Sequence, residues 1–168
     1  MAIHEVLIVP DPRLRKIAKS VPALDDQVRQ IITDMFETME ASHGAGLAAT
    51  QINIQLRIVV IDDAHVRPEP FCLINPEILE RGGEQLAQEG CLSVPGHYDE
   101  VKRAAWVKVR YFDQDFKEQF IETDDLRAAS VFQHEIDHLD GKLYIDYLSR
   151  LKQQRILKKV EKFRKANM

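Results

Sequence analysis

His134 and His138 stand four residues apart in QHEIDHLDG, with Glu135 directly after the first. On a helix, residues i and i+4 share a face, so both imidazoles can reach one ion. Glu135 then lies where a carboxylate can take a proton from water activated beside the ion. A catalytic metal site usually has three protein ligands and one open position. Downstream of His138 the chain has neither histidine nor cysteine, and Asp140, Asp146 and Glu161 are its only carboxylates there. Upstream, Cys91 in QEGCLSVPG is a candidate third ligand, since a thiolate with two imidazoles suits a first-row divalent cation. From the residues alone, other readings stay open: two histidines in ordinary hydrogen bonds and a buried free thiol.

Further stretches offer supporting groups. GAGLAATQ carries Gly44 and Gly46, which let a backbone approach closely, and Gln51, a neutral amide donor for a developing oxyanion. It is equally readable as a helix cap and turn. Asp137 is a candidate to orient a ligand histidine, and is equally readable as part of the helix surface. Cys72, inside FCLIN, reads as a small core residue.

These groups need elements to hold them. Val28, Ile31, Ile32, Met35, Phe36 and Met39 recur at helical spacing and predict a helix over residues 25–42, which Asp25 or Asp26 can cap and Gly44 can end. A second helix is expected over 125–139, stopping near Gly141. A third is expected over 149–166, with Leu151, Leu157, Val160 and Phe163 available for one face. RIVVID, FCLIN, WVKVRYF and EQFIET read as strands, punctuated by Asn75-Pro76, Gly82-Gly83 and Pro95-Gly96, and LYIDYL as a short extended piece. Strands clustered between segregated helices predict an α+β fold: antiparallel or mixed sheets around the helix carrying HExxH, with an N-terminal and a C-terminal helix. The 168 residues are expected to form one domain, 1–168, with 150–168 as a basic terminal helix.

The composition is that of a globular protein, 45% hydrophobic and 30% charged. IHEVLIVP is too short to span a membrane and lacks the features of a secretory leader, so no membrane partner and a cytoplasmic location are expected. Two cysteines do not make a disulfide framework. Net charge is −4, yet eight of the 23 basic residues and only one of the 27 acidic ones fall between Arg150 and Lys165. A basic tail on an acidic body suits a polyanionic partner, or is simply a solvated helix face.

Taken in order, GAGLAATQ, EGCLSVP and QHEIDHLDG resemble the three signature motifs of the peptide deformylases. The similarity extends from VPDPRLRKIAK near the start to LKQQRILKKVEK near the end. The resemblance implies one divalent metal held by Cys91, His134 and His138: Fe(II) in the cell, with Zn(II), Ni(II) or Co(II) possible in the purified protein. It implies Glu135 as general base and acid, and Gln51 with the Leu92 backbone N–H as oxyanion donors. It places substrate along Gly44, Ala45 and Gly46, with Glu89 and Gly90 alongside. The implied reaction removes the formyl group from the N-terminal methionine of nascent proteins and releases formate. The implied partner is the ribosome, RNA and protein, through the basic C-terminal helix, and a monomer is expected. Glu89 and Arg103 resemble a supporting ion pair. Two positions depart from the family pattern: Ala45, usually a bulkier aliphatic residue, and Arg127, where relatives tend to be apolar. Both bear on side-chain preference. The rival readings are an HExxH zinc endopeptidase, a non-catalytic protein with a structural metal, and an RNA-binding module using the basic tail.

Overall fold

A computed structural model describes residues 2–167; Met1, and Met168 at the end of the expected basic helix, lie outside the described residues. Helix α1 (Asp26–Ala41) starts where the Asp25 carboxylate accepts the Val28 N–H at 2.8 Å. It buries Val28, Ile32, Met35 and Met39, the spacing of one helix face. At its end the Gly44 N–H closes onto the Met39 carbonyl at 3.0 Å, with His43 at a positive φ of 56°.

Among the described residues seven strands follow: β1 (Gly46–Ala48), β2 (Ile58–Ile61), β3 (Phe71–Gly82), β4 (Gln85–Cys91), β5 (Val94–Arg103), β6 (Trp106–Phe112) and β7 (Glu118–Thr123). All pair antiparallel, as a five-stranded sheet in the order β1-β2-β3-β6-β7 and a two-stranded β4-β5 ribbon. Helix α2 (Leu126–Leu139) and helix α3 (Arg150–Ala166) complete an α+β fold. β2 shows why apolar residues run without alternation there. Ile58 and Val60 pack with α1, while Val59 and Ile61 pack with Phe132, Ile136 and Leu139 of α2. Its two faces are both covered, so every position is buried. β6, with one covered face, keeps the two-residue rhythm and buries Val107, Val109 and Tyr111.

Three elements differ from expectation. β3 runs on through Asn75-Pro76 because Asn75 takes a left-handed φ of 51° inside a register shift, while its amide clasps both the N–H and the carbonyl of Val21. β4 and β5 form a hairpin, so Pro95-Gly96 lies within β5 and does not end a segment. LYIDYL holds a 3₁₀ turn (Tyr144–Tyr147), closed by the Asp146 carboxylate reaching back to the Leu143 N–H at 3.0 Å. The caps of α2 and α3 are Asp125 and Ser149. α3 buries Ile156 and Val160; of the other face residues expected, Leu151 and Phe163 are 57% and 43% exposed. Among the described residues no helix is long and apolar enough to cross a membrane.

Candidate metal centre

Helix α2, the β4 end and the 3₁₀ turn Ala49–Ile52 meet at one cleft of about 450 Å³. α2 brings His134 and Glu135 to it and, one turn on, His138 to the donor cluster. The β4–β5 hairpin turns through Leu92 and Ser93, with Cys91 opposite Val94, and this delivers the thiol from the other side. The Thr50 hydroxyl donates to the His138 carbonyl at 3.1 Å, tying the turn to the last turn of α2. The Gly141 N–H meets the same carbonyl at 3.1 Å, at a glycine with φ 73°.

Cys91 Sγ, His134 Nε2 and His138 Nε2 converge: sulfur to His138 nitrogen is 3.4 Å, and the two nitrogens are 3.3 Å apart. A tetrahedral site with ~2.0 Å metal–nitrogen and ~2.3 Å metal–sulfur bonds has edges of about 3.3 Å (N–N) and about 3.5 Å (N–S). The donor set fits one small divalent cation in chemistry and in spacing. His134 presents Nε2 because its Nδ1 is committed to the Glu89 carboxylate at 2.8 Å. Glu89 is also gripped by Arg103 through two bonds of 2.7 and 2.9 Å. Both side chains are buried, as a stable ion pair in an interior requires good geometry to be.

The charges follow from these contacts. Burial opposes a charge on Glu89, but the bonds from Arg103 and His134 outweigh it and hold its carboxyl below the ordinary range. Burial also opposes a charge on His134, yet Cys91 and Glu89 push its pKa well up. For His138, burial and then the neighbouring His134 push it well down, which keeps a lone pair available. Burial raises the pKa of Glu135. Its Oε1 is buried without a hydrogen-bond partner among the described residues. A β-carbon on Gly46 would stand 2.5 Å from the other oxygen, so glycine there is what gives this carboxylate its place.

Every expected site residue lies at this cleft or in the donor cluster: Gln51, Leu92, Gly44, Ala45, Gly46, Glu89, Gly90, Cys91, His134, Glu135 and His138. The geometry refines several of them. The Gln51 side chain is oriented by the Ala48 N–H on Oε1 at 3.0 Å, so Nε2 faces the centre, 3.0 Å from Ser93 Oγ and 3.5 Å from Cys91 Sγ. Leu92 packs where a side chain on Gly44 would otherwise sit. The Glu89 carboxylate is taken up by Arg103 and His134. Asp137 does not orient a histidine; it accepts from Arg103 at 2.7 Å and from the Tyr147 hydroxyl at 2.8 Å. Arg127 lines the cleft while its Nε binds Asp63 at 3.0 Å. Sequence reasoning missed Ser93, Thr50 and Tyr147. Ser93 lies inside EGCLSVP and Thr50 inside GAGLAATQ, so their place within the motifs was the available signal; Tyr147 carried none.

A sequence model of the family described as Polypeptide deformylase matches residues 3–154. A peptide deformylase of Pseudoalteromonas translucida (strain TAC 125) is 55% identical over 162 residues, 96% of each chain. One from Hamiltonella defensa is 50% identical over 167 residues, 99% of this chain and 97% of the other. Among solved structures, a peptide deformylase from Legionella pneumophila superposes with a TM-score of 0.92 at 45% identity, covering 98% of this chain and 97% of that one. One from Ehrlichia chaffeensis gives 0.91 at 35% identity, covering 98% of each.

Proposed function

The chain belongs to the polypeptide deformylase family, and from that premise we propose how its cleft removes the formyl group from the amino end of newly made proteins and releases formate. The observation that carries the reading is the meeting of one sulfur and two imidazole nitrogens beside a buried glutamate oxygen with no partner among the described residues. Cys91, His134 and His138 would hold one divalent cation, Fe(II) in the cell, with Zn(II), Ni(II) or Co(II) able to take its place in purified protein. Bound there, the ion supplies a Lewis acid that makes water a nucleophile near neutral pH.

The chain's own groups do the rest. Glu135 takes the proton from the attacking water as its oxygen adds to the formyl carbon. Gln51 Nε2 and the Leu92 N–H meet the negative charge on the former carbonyl oxygen, and losing one such donor costs roughly 3–4 kcal/mol of barrier. For this, Gln51 turns one N–H from Ser93 to the substrate, while Ala48 keeps its carbonyl end fixed. Glu135 then returns the proton to the departing amine as the C–N bond breaks. Among the described residues β1 is the terminal strand of its sheet and pairs with β2 alone. A peptide laid beside Gly44, Ala45 and Gly46, with Gly90 opposite, can add to that edge through main-chain hydrogen bonds, which tolerates varied sequences.

The endopeptidase and structural-metal readings lose to family membership. α3 and its eight basic residues support docking to ribosomal RNA and protein, with strong salt dependence. One chain supplies all three donors, which supports action as a monomer, and a ribosomal partner supports a cytoplasmic location. The test offers formyl-Met-peptide and acetyl-Met-peptide to metal-loaded protein and to Glu135→Ala. Formate release from the first peptide without matching acetate release from the second, and loss of formate release in the variant, are expected. Equal turnover of the acetyl peptide, or an active variant, would overturn the reading.

A further inference from the structure

The Glu89 carboxylate that orients His134 is itself the end of a longer chain of contacts. Arg103 grips Glu89 with Nε and Nη2 and sends Nη1 to Asp137 Oδ2 at 2.7 Å. Tyr147 donates its hydroxyl to the same Asp137 oxygen at 2.8 Å. Its ring also lies 4.7 Å beneath the Arg103 guanidinium, within cation–π reach. Burial and then Asp137 push the Tyr147 hydroxyl up to about 12, so it stays a donor through the neutral range. Tyr147 is thus bonded to one partner of Arg103 and stacked on Arg103 itself. It comes from the 3₁₀ turn that leads into α3, outside the three motifs and outside the cleft lining.

We propose that Tyr147 is a positioning residue for the metal centre: through Asp137 and Arg103 it holds Glu89 on His134 Nδ1, and so holds His134 Nε2 on the ion. Arg103 can keep both of its carboxylates only in one orientation of its planar fork. Tyr147 closes the side of that fork away from Glu89. Freed from Tyr147, Asp137, whose side chain is 15% exposed, keeps one partner fewer, and the guanidinium loses its aromatic cover. Slack there passes to the Glu89–His134 bond, because the same guanidinium makes both sets of contacts. This inference rests on the metal assignment proposed above.

The probe is Zn(II)-loaded protein mixed with excess chromogenic chelator, reading the rate of zinc release. Loss of an outer hydrogen-bond partner typically weakens a metal site 10–100-fold, so at this greater remove Tyr147→Ala should release zinc roughly 10-fold faster and Tyr147→Phe about 3-fold faster. Tyr147→Phe keeps the ring and, at a half-exposed position, keeps the fold; thermal unfolding of the metal-free protein checks this. The decisive arm repeats Tyr147→Phe in a Glu89→Gln background, where the proposal expects no further acceleration. A second readout is the His134 Nδ1–H proton resonance of the zinc form, which should move in Tyr147→Phe. Unchanged release and resonance in Tyr147→Phe, or the same acceleration with and without Glu89, would overturn the proposal. A wild-type protein that takes up no zinc would instead refute the metal assignment.

Discussion

His134 and His138 sit one helical turn apart on α2 and aim the same nitrogen at the same point, yet their surroundings are opposites. His134 is braced from outside the helix. Its Nδ1 meets Glu89, Glu89 meets Arg103, and Arg103 meets Asp137 and Tyr147. His138 Nδ1 is buried with no partner among the described residues, and what holds that turn is the backbone, through Thr50 and Gly141. One ligand is therefore placed by a charged network and the other by the helix end. Orientation by a carboxylate also raises a ligand's basicity, so the two histidines should contribute unequally to affinity and to stability.

The comparison makes separable predictions. The largest effect falls on Glu135, which lies between the two ligands and belongs to neither brace. Glu135→Ala should bind metal normally and lose roughly 100- to 10,000-fold in kcat/KM for a formyl-Met-peptide, read as formate release. Loss of the metal as well would mean that Glu135 helps to hold the ion. Next, Glu89→Gln leaves Arg103 with only Asp137 to balance its buried charge. It should destabilise the metal-free fold by about 3 kcal/mol at neutral pH, read by urea unfolding, and release zinc faster. The sign with pH follows from the lowered Glu89 pKa. The contribution is fully present above the ordinary glutamate value and disappears as pH falls through the depressed folded value, so wild type and variant should converge in acid. Smaller still, Thr50→Val removes a neutral hydrogen bond on the His138 side. It should cost about 1 kcal/mol of stability with little change in zinc release; a zinc effect as large as that of Glu89→Gln would erase the asymmetry. Smallest, Arg127→Leu breaks a partly exposed pair worth about 0–1 kcal/mol. Metal content should not change, and any effect should appear only as altered relative kcat/KM among formyl peptides with different first side chains.

The sequence made some of this legible for physical reasons. α1 and α2 combine helical apolar spacing with an aspartate cap, so their ends are placed within a residue or so. The donor residues announce themselves by type and, for the histidines, by spacing. The β4–β5 hairpin was not legible, because QLAQEGC and VPGHYDE are polar, glycine-bearing and proline-bearing segments whose pairing depends on each other. The choice between Asp137 and Glu89 as the carboxylate behind a ligand histidine was equally hidden. Asp137 is near in sequence, but it lies off the cleft-facing side of α2. Glu89 arrives from a strand 45 residues away. Nor does a basic amphipathic pattern disclose that α3 buries Ile156 beside the expected Val160 while Leu151 stays exposed.

The account depends on a single ion held by one sulfur and two imidazoles. X-ray absorption of the zinc-loaded protein reads that shell directly. The prediction is one zinc per chain with one sulfur at ~2.3 Å and two imidazole nitrogens at ~2.0 Å, the sulfur vanishing in Cys91→Asp. A shell of nitrogen and oxygen alone in the wild-type protein, or a sulfur that survives the substitution, would contradict it.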